Sequence, residues 1–437
     1  MEILQGLKNT ISVDKELSNY YFKLNNYDLS IEYCKKILET IVNMQSLIES
    51  DDNLNENIGA ELKDIIEETQ EELIKLHFYY AENSFNISQF EKAINLYKYV
   101  LTSNIDSYLV FYKIALCFKS LGQIDSAILF FNKSVSDEEK SFNSYKELGE
   151  IYYNQKNDLY NSIINYENYT LYDKNNSLVY NMLGFLYNRT GEIEKSFENL
   201  KKANEINPES ELIISNLLFT LQKIPNKNQE DIYYLSKDVI NKYLETKFVE
   251  GYKHEKRIKT NSDSNKIHIA YISGDFHDHV IMLYLLPILE NHDKEKFIVT
   301  CYSNTSEENE DIYSIKAEMN SNNFKNISKL NNIEVSKLIY DDKVDILIDL
   351  SGHTDKTRVF CLLDKPAPII VSYMGFPNTT GIENVDYFLS NENLNDLEDD
   401  NYFAEKIYFL DSCYRCFKPS IQGFSDIKDI PYLKIII

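Results

Sequence analysis

Tryptophan is absent from this chain of 437 residues, and glycine is scarce, with only 12 residues. In such a chain each glycine is expected to answer a backbone requirement that other residues meet poorly. No apolar run approaches the roughly 18 residues that a membrane-spanning helix needs, and the N-terminus lacks the charged-then-apolar pattern of a signal peptide. The six cysteines are mostly isolated, which favours a reducing compartment over a disulfide framework. We therefore expect a cytoplasmic protein without a membrane partner.

Basic charge is also in deficit, because the formal net charge is −24 at pH 7. Proteins that bind nucleic acid generally need a basic surface to neutralise phosphates, so we expect no nucleic-acid partner. A locally basic pocket for one anionic small molecule remains compatible with this charge. The length predicts two to three domains.

A period of about 34 residues runs through the N-terminal half. The segment around Ala93 recurs around Ala127, Ser162 and Ser196, which are 34, 35 and 34 residues apart (127 − 93, 162 − 127 and 196 − 162). Each copy places a small residue where the two helices of a pair would touch. This pattern is typical of tetratricopeptide repeats, whose stacked helix pairs form a superhelix that binds peptides or partner proteins.

The pattern changes after residue 266, where apolar strands begin to alternate with helical segments. This alternation predicts a mainly parallel, Rossmann-like sheet. No Gly-x-Gly-x-x-Gly motif follows the first strand, so a dinucleotide oxidoreductase is poorly supported. Strands are predicted at 267–273, 297–303, 344–350, 368–374 and 385–390, and helices at 281–290, 311–319 and 333–341.

The chain therefore divides into a helical part and an α/β part, an α + α/β fold class. The predicted regions are divergent or capping helices at 1–72, a tetratricopeptide array at 73–225, a helical linker at 226–266 and a Rossmann-like lobe at 267–437.

Polar residues and glycines follow several strands of this lobe. Ligands of open α/β sheets bind outside the carboxyl ends of the strands, so these positions are candidate site residues. A neutral histidine there can act as a base or as a hydrogen-bond donor. Hydroxyls and free backbone N–H groups suit a sugar or a diphosphate. The residues concerned are His279, His353, Thr354, Thr379 and Thr380, beside Gly274, Gly352, Gly375 and Gly381.

Several motifs in this order resemble the O-GlcNAc transferase (SPINDLY-like) glycosyltransferase family. The resemblance covers roughly residues 75–419 and rests on the order of the motifs more than on any single one. Besides the repeats, the motifs are Ser215-Asn-Leu-Leu-Phe-Thr-Leu221, Tyr271-Ile-Ser-Gly-Asp-Phe-His-Asp-His279, Asp349-Leu-Ser-Gly-His-Thr354, Pro366-Ala-Pro-Ile-Ile-Val371, Gly375-Phe-Pro-Asn-Thr-Thr-Gly381, Asp386-Tyr387 and Tyr414-Arg-Cys-Phe-Lys-Pro419.

The resemblance implies transfer of a sugar, typically GlcNAc from UDP-GlcNAc, to Ser or Thr hydroxyls of proteins held by the repeats. It also implies inversion at the sugar, no cofactor beyond the nucleotide-sugar donor, no required metal, and a two-lobed GT-B fold. His279 would be the active-site histidine, and either His279 or Asp349 would be the base. The residues expected to line the substrate pocket are Met282, Leu283, His353, Thr354, Gly375, Pro377, Thr379 and Thr380.

Two departures from the family pattern qualify this expectation. Asn378 stands where the family usually has glycine, and a turn there would rely on the tolerance of asparagine for the left-handed conformation. The chain also ends near the point where the second, donor-binding lobe would begin. The resemblance therefore predicts that this lobe is missing, is supplied by another chain, or belongs to a longer protein of which this sequence is a fragment.

Other interpretations of these residues stay open. His277 and His279 could form a metal pair, although no further ligand cluster accompanies them. Cys413 and Cys416 have redox or zinc spacing without a second pair. Asp349 could serve only as a local cap. The alternative function is a tetratricopeptide scaffold, truncated or without catalytic activity, that binds partner proteins.

Overall fold

The computed structural model describes residues 2–49, 56–102, 107–135, 142–225, 227–247, 251–254, 266–411 and 413–417. They form two compact units, one over Met1–Lys174 and one over Asn175–Ile437. The division falls inside the predicted repeat array, so the last repeat helices belong to the same unit as the α/β lobe. Among the described residues, no helix combines the length and apolar character needed to cross a bilayer.

The first unit is helical throughout its described residues, as the 34-residue period predicts. Ala93, Ala127 and Ser162 are completely buried, so small residues do occupy the tightest helix contacts. The Ser162 hydroxyl also donates to the Gly149 carbonyl at 2.9 Å across one helix pair. The helices are α1 (Glu2–Lys23), α2 (Tyr27–Glu49), α3 (Glu56–Asn86), α4 (Phe90–Val100), α5 (Ser107–Ser120), α6 (Ile124–Ser134), α7 (Asn143–Asn154) and α8 (Leu159–Tyr172).

The second unit opens with four helices, three of which begin at a polar capping residue. Asn176, Ser210 and Asn228 each accept a hydrogen bond from a backbone N–H of the first turn, which stabilises the helix start. The Ser196 hydroxyl donates to the Gly184 carbonyl at 2.6 Å. This hydrogen bond is equivalent to the one between Ser162 and Gly149 in the first unit. These helices are α9 (Ser177–Thr190), α10 (Ile193–Ile206), α11 (Glu211–Leu221) and α12 (Gln229–Glu245).

A seven-stranded sheet follows, with strand order β3-β2-β1-β4-β5-β6-β7 and parallel pairing throughout. The strands are β1 (Ile267–Ser273), β2 (Phe297–Ser303), β3 (Asn323–Asn326), β4 (Ile346–Asp349), β5 (Ile369–Ser372), β6 (Tyr387–Ser390) and β7 (Lys406–Phe409). The accompanying helices are α13 (Val280–Asn291), α14 (Ile312–Met319) and α15 (Asn332–Asp341), with 3-10 turns at Glu307–Asn309, Val359–Asp364 and Leu397–Tyr402.

Both faces of the sheet are covered, which explains why its strands read as continuous apolar runs. Alternate residues of β1 enter two different cores. Ile269 and Tyr271 pack with α13, whereas Ala270 and Ile272 belong to a core that includes apolar residues of α10, α11 and α12. One continuous apolar core therefore joins the last repeat helices to the sheet, and this core fixes their position relative to the strand ends.

The structure adds two short strands that the sequence pattern does not predict. β3 reads Asn-Phe-Lys-Asn, and asparagine and lysine are uncommon in strands. β7 has only four residues and lies at the other edge of the sheet. The predicted strands over 344–350, 368–374 and 385–390 are shorter in the structure. β4 and β5 lose residues at both ends, and β6 begins two residues later than predicted.

Replacing Gly375 by alanine should destabilise the second unit by about 3 kcal/mol or more, because the added Cβ would lie 1.9 Å from the Leu350 carbonyl oxygen. Denaturant unfolding monitored by circular dichroism measures the loss. The control is Gly191→Ala, whose Cβ meets nothing within 4 Å but whose φ is +85°. It should cost only about 1–2 kcal/mol, from backbone strain alone. Equal losses in the two variants would contradict the predicted clash.

Candidate active site

The sheet has a switch point between β1 and β4. From β1 the chain proceeds to β2 and β3 on one side, and β4 then lies on the other side of β1. At such a point the connecting segments diverge and leave a crevice at the carboxyl ends of the strands. The loops after β1 and β4 meet there, and the hydroxyls of Ser273 and Ser351 lie 3.2 Å apart.

The loop after β1 places two histidines around one shielded carboxylate. The Asp275 side chain is 14% exposed, and its Oδ2 lies 3.7 Å from Nδ1 of His279. Its other oxygen lies 4.0 Å from Nε2 of His277. Burial raises the pKa of Asp275, and positive charge on either histidine opposes that shift. Asp275 is therefore placed to stabilise positive charge on either histidine.

His279 is the residue of this set that reaches solvent, with 39% of its side chain exposed. It caps α13, and its Nδ1 accepts a hydrogen bond from the Ile281 N–H at 3.3 Å. A nitrogen that accepts carries no proton, so the neutral ring holds its proton on Nε2. In this arrangement His279 is a hydrogen-bond donor toward the crevice. Moving Nδ1 from the Ile281 N–H to the Asp275 carboxylate would free Nε2 to act as a base.

Asp349, the last residue of β4, organises the loop that follows it. Its carboxylate is buried and accepts hydrogen bonds from the backbone N–H groups of Ser351 (3.3 Å) and Gly352 (2.7 Å). Burial raises the pKa of Asp349 to about 6, the two N–H donors oppose the shift, and the charge of Asp275 adds to it. These contacts favour the interpretation of Asp349 as a local cap that shapes the turn.

His353 is held inside the protein with both ring nitrogens occupied. Nε2 lies 2.8 Å from the Thr380 carbonyl, and Nδ1 lies 3.3 Å from the Ser215 hydroxyl. Because a carbonyl can only accept, Nε2 carries the proton and Nδ1 accepts from Ser215. Burial lowers the pKa of His353 to about 4, so the ring is neutral near pH 7. In this structure His353 positions the loop after β5.

The hydroxyls of Thr379 and Thr380 are directed at one buried carboxylate, that of Glu405. Thr379 donates to Glu405 at 2.7 Å, and Thr380 donates through both its hydroxyl and its backbone N–H. Burial raises the pKa of Glu405, and these hydrogen bonds oppose the shift. The two threonine hydroxyls therefore stabilise the conformation of the loop by bonding to the buried carboxylate.

The same loop begins in a strained conformation that later residues clamp. Met374 has a φ of +70°, which is uncommon outside glycine. Its N–H donates to the Tyr414 hydroxyl at 3.1 Å, and its carbonyl accepts from the Arg415 guanidinium at 3.1 Å. Asn378 has no positive φ, contrary to the expected left-handed turn, and the left-handed positions are Met374 and Gly381.

The predicted site residues thus separate by accessibility. His279, Leu283, Thr354 and Gly375 are partly exposed, and Pro377 is exposed. Met282, Asp349, His353, Thr379 and Thr380 are buried. The Thr354 hydroxyl donates to the Ser351 carbonyl at 2.9 Å. The exposed members, with His279 foremost, are those that a substrate could touch without rearrangement.

The local sequence pattern did not single out several residues that build this site. Asp275 stands in a run rich in Asp and His, which was a usable signal for a charge beside His279. No local pattern indicated Glu405 or Gln229, because the residues that they contact are distant in sequence. Among the described residues, no group of three or more His, Cys, Asp or Glu could hold a metal ion. Cys413 and Cys416 are exposed and free.

Comparison with known proteins agrees with this architecture. Residues 238–418 match glycosyl transferase family 41, and residues 16–40, 109–136 and 178–210 match the tetratricopeptide repeat. A mutant O-GlcNAc transferase from Thermobaculum terrenum has a similar structure, with a TM-score of 0.52 at 20% identity. The similarity covers 80% of this chain and 59% of that one, and at this identity it shows the fold alone.

Curated relatives from plants match shorter stretches. The probable UDP-N-acetylglucosamine-peptide N-acetylglucosaminyltransferase SEC of Arabidopsis thaliana is 31% identical over 157 residues, which is 36% of this chain and 16% of that protein. The SPINDLY protein of Solanum lycopersicum, with the same probable activity in its name, is 25% identical over 235 residues, 50% of this chain and 23% of that protein. The chain thus spans about a sixth to a quarter of the length of such relatives.

The raised pKa of Asp349 predicts a pH-dependent stability that Asp349→Asn should remove. An aspartate whose folded pKa is about 6, against 3.8 without the shift, loses folding free energy as pH rises through the window from about 4 to 6. That difference corresponds to about 3 kcal/mol. Relative to the wild type, the variant should therefore gain up to about 3 kcal/mol between pH 4 and pH 7.

Urea unfolding of both proteins at several pH values measures this difference. A difference between the two proteins that stays constant from pH 4 to pH 7 would show that Asp349 titrates normally.

Proposed function

We propose that the chain takes part in transferring a sugar from a nucleotide donor to Ser or Thr hydroxyls of proteins, because residues 238–418 match glycosyl transferase family 41. UDP-GlcNAc is the donor proposed first, because the names of its plant relatives specify that activity. We further propose an inverting reaction without a metal, carried out in a GT-B arrangement in the cytoplasm. The repeats supply the surface for acceptor proteins.

The observation that supports this function most is the position of His279. Its imidazole is partly exposed at the switch-point crevice, and a shielded carboxylate lies 3.7 Å from its inner nitrogen. A histidine backed by a carboxylate is suited to accept a proton at its outer nitrogen, because the carboxylate stabilises the positive charge that forms.

The proposed reaction is a single displacement in which His279 accepts the proton of the acceptor hydroxyl. Nδ1 of His279 first turns from the Ile281 N–H to Asp275 and takes up a proton from solvent, while Nε2 releases its own proton to solvent. In this tautomer Nδ1–H donates to the Asp275 carboxylate, and the lone pair of Nε2 is available to the acceptor hydroxyl. The hydroxyl oxygen forms the new bond to the anomeric carbon as its proton moves to Nε2. The bond from that carbon to the phosphate oxygen breaks on the opposite face, and the nucleoside diphosphate leaves with the electron pair.

The loop Gly375–Gly381 contributes shape more than side-chain ligands in this proposal. Its threonine hydroxyls are occupied by Glu405, so the groups it can offer a sugar are Pro377 and backbone atoms near Gly375. Leu283 and Thr354 are the other accessible members of the predicted pocket.

Replacing His279 by alanine should lower sugar transfer by about 10²- to 10⁴-fold, the usual contribution of a general base. Asp275→Asn should lower it less, since the imidazole would remain but lose the charge that stabilises its protonated form. The assay supplies radiolabelled UDP-GlcNAc, and other nucleotide sugars in parallel, with a cell extract as the source of acceptors. Label incorporated into protein is measured.

The control is His254→Ala, which removes a half-buried histidine bonded to the Lys365 carbonyl and outside the strand-end loops. It should retain transfer. Transfer that survives in His279→Ala would remove the assigned base. Absence of transfer with every donor, together with capture of extract proteins by the repeats, would instead favour the non-catalytic scaffold.

A further inference from the structure

The loop Gly375–Gly381 is anchored by residues of the helices α11 and α12. Asn378 and Gln229 form a reciprocal amide pair, in which Gln229 Nε2 donates to Asn378 Oδ1 at 2.6 Å and Asn378 Nδ2 donates to Gln229 Oε1 at 2.8 Å. Gln229 also donates to the Tyr402 carbonyl at 3.2 Å, beside the segment that carries Glu405. The first residue of α12 thus ties together two segments of the lobe.

A second connection runs from α11 through His353. Ser215 donates to Nδ1 of the buried imidazole, and Nε2 of the same ring donates to the Thr380 carbonyl. Since the ring is neutral and enclosed, it transmits the position of α11 to the loop as a fixed spacer. Phe376 packs edge-on against the ring, with 5.3 Å between centroids, and further limits its movement.

A third contact is steric. Gly381 has a φ of +74°, and a Cβ on it would lie 3.0 Å from the backbone carbonyl of Ser236 in α12. The loop therefore lies directly against the helix backbone, with no room for a side chain between them. Asn378, Thr380 and Gly381 are all anchored to α11 or α12 in this way.

We propose that Gln229 and Ser215 are positioning residues for the loop Gly375–Gly381, so that α11 and α12 form the rear wall of the active site. Neither residue touches the reacting atoms. Gln229 acts through Asn378, and Ser215 acts through His353. The statement that this loop shapes the sugar pocket rests on the proposed function, whereas the anchoring itself does not.

Hydrogen–deuterium exchange of the whole chain tests the anchoring without any substrate. Gln229→Ala removes both amide hydrogen bonds to Asn378, so the backbone amides of Thr379, Thr380 and Gly381 should exchange about 5- to 30-fold faster. Ser215→Ala should accelerate the same amides. The matched control is Gln222→Ala, because Gln222 donates only to the Leu218 carbonyl of its own helix; loop exchange should not change in this variant.

A double-mutant cycle separates the specific pair from general loosening. Adding Gln229→Ala to Asn378→Ala should change loop exchange little, because the partner amide is already absent. Circular dichroism verifies that each variant is folded. Loop exchange in Gln229→Ala and Ser215→Ala equal to that of Gln222→Ala, or fully additive effects in the cycle, would overturn the proposal.

Sugar transfer provides the second readout. In Gln229→Ala the KM for the nucleotide sugar should rise several-fold with a smaller change in kcat, in a protein that circular dichroism shows to be folded. Faster loop exchange without any transfer by the wild type would leave the anchoring established and reject only the proposed function. Normal transfer with unchanged loop exchange would retain the function and reject the anchoring.

Discussion

Two buried carboxylates determine how the strand-end loops are arranged. A carboxylate removed from water is strongly destabilising unless donors replace its hydration. Asp349 obtains its donors from the first backbone N–H groups after β4, and Glu405 obtains them from Thr379 and Thr380. Each loop must therefore curl around its carboxylate, and the conformation of the loop follows from this requirement. The glycines and the left-handed Met374 are consequences of the same tight curvature.

In this arrangement, most polar groups of the predicted pocket form hydrogen bonds within the protein and are not available to a ligand. The hydroxyls of Thr379 and Thr380 and both nitrogens of His353 already have protein partners. Such fully satisfied networks are rigid, because the loss of any one member leaves the others buried without a partner. His279 differs, since its side chain is partly exposed while the shielded Asp275 carboxylate lies 3.7 Å from its Nδ1. The site thus combines a rigid rear wall with one histidine whose proton can move.

Local patterns in the sequence were sufficient to predict the repeat helices and five of the seven strands described here. The 34-residue spacing located Ala93 and Ala127 at buried helix contacts, and the apolar runs located β1 and β2 at the predicted residues. The strand-end glycines and histidines predicted a site at the carboxyl ends of the strands, and this stays a prediction. Periodicity and composition carry this information because they depend on neighbours one or a few residues away.

The roles of individual side chains were not predictable in the same way. His353 looks like a ligand in the sequence, and its burial depends on Ser215, which lies 138 residues earlier. Asn378 was expected to support a left-handed turn, but its amide pairs instead with Gln229, 149 residues earlier. Ser215 lies in the predicted repeat array and Gln229 in the predicted linker, so both partners lie outside the predicted lobe at 267–437. Whether a polar group faces a substrate or the protein is decided by such distant partners.

The helices α11 and α12 therefore belong to the same structural unit as the α/β lobe. They share one apolar core with the sheet, and their residues anchor the loop after β5 by hydrogen bonds and by direct backbone contact. A boundary at residue 266 would separate Asn378 and Gly381 from α12, which holds them, and a boundary at residue 225 would separate His353 from Ser215 in α11. The boundary at Lys174 and Asn175 keeps these contacts within one unit. Residues of α11 and α12 thus help to determine the shape of the loop Gly375–Gly381.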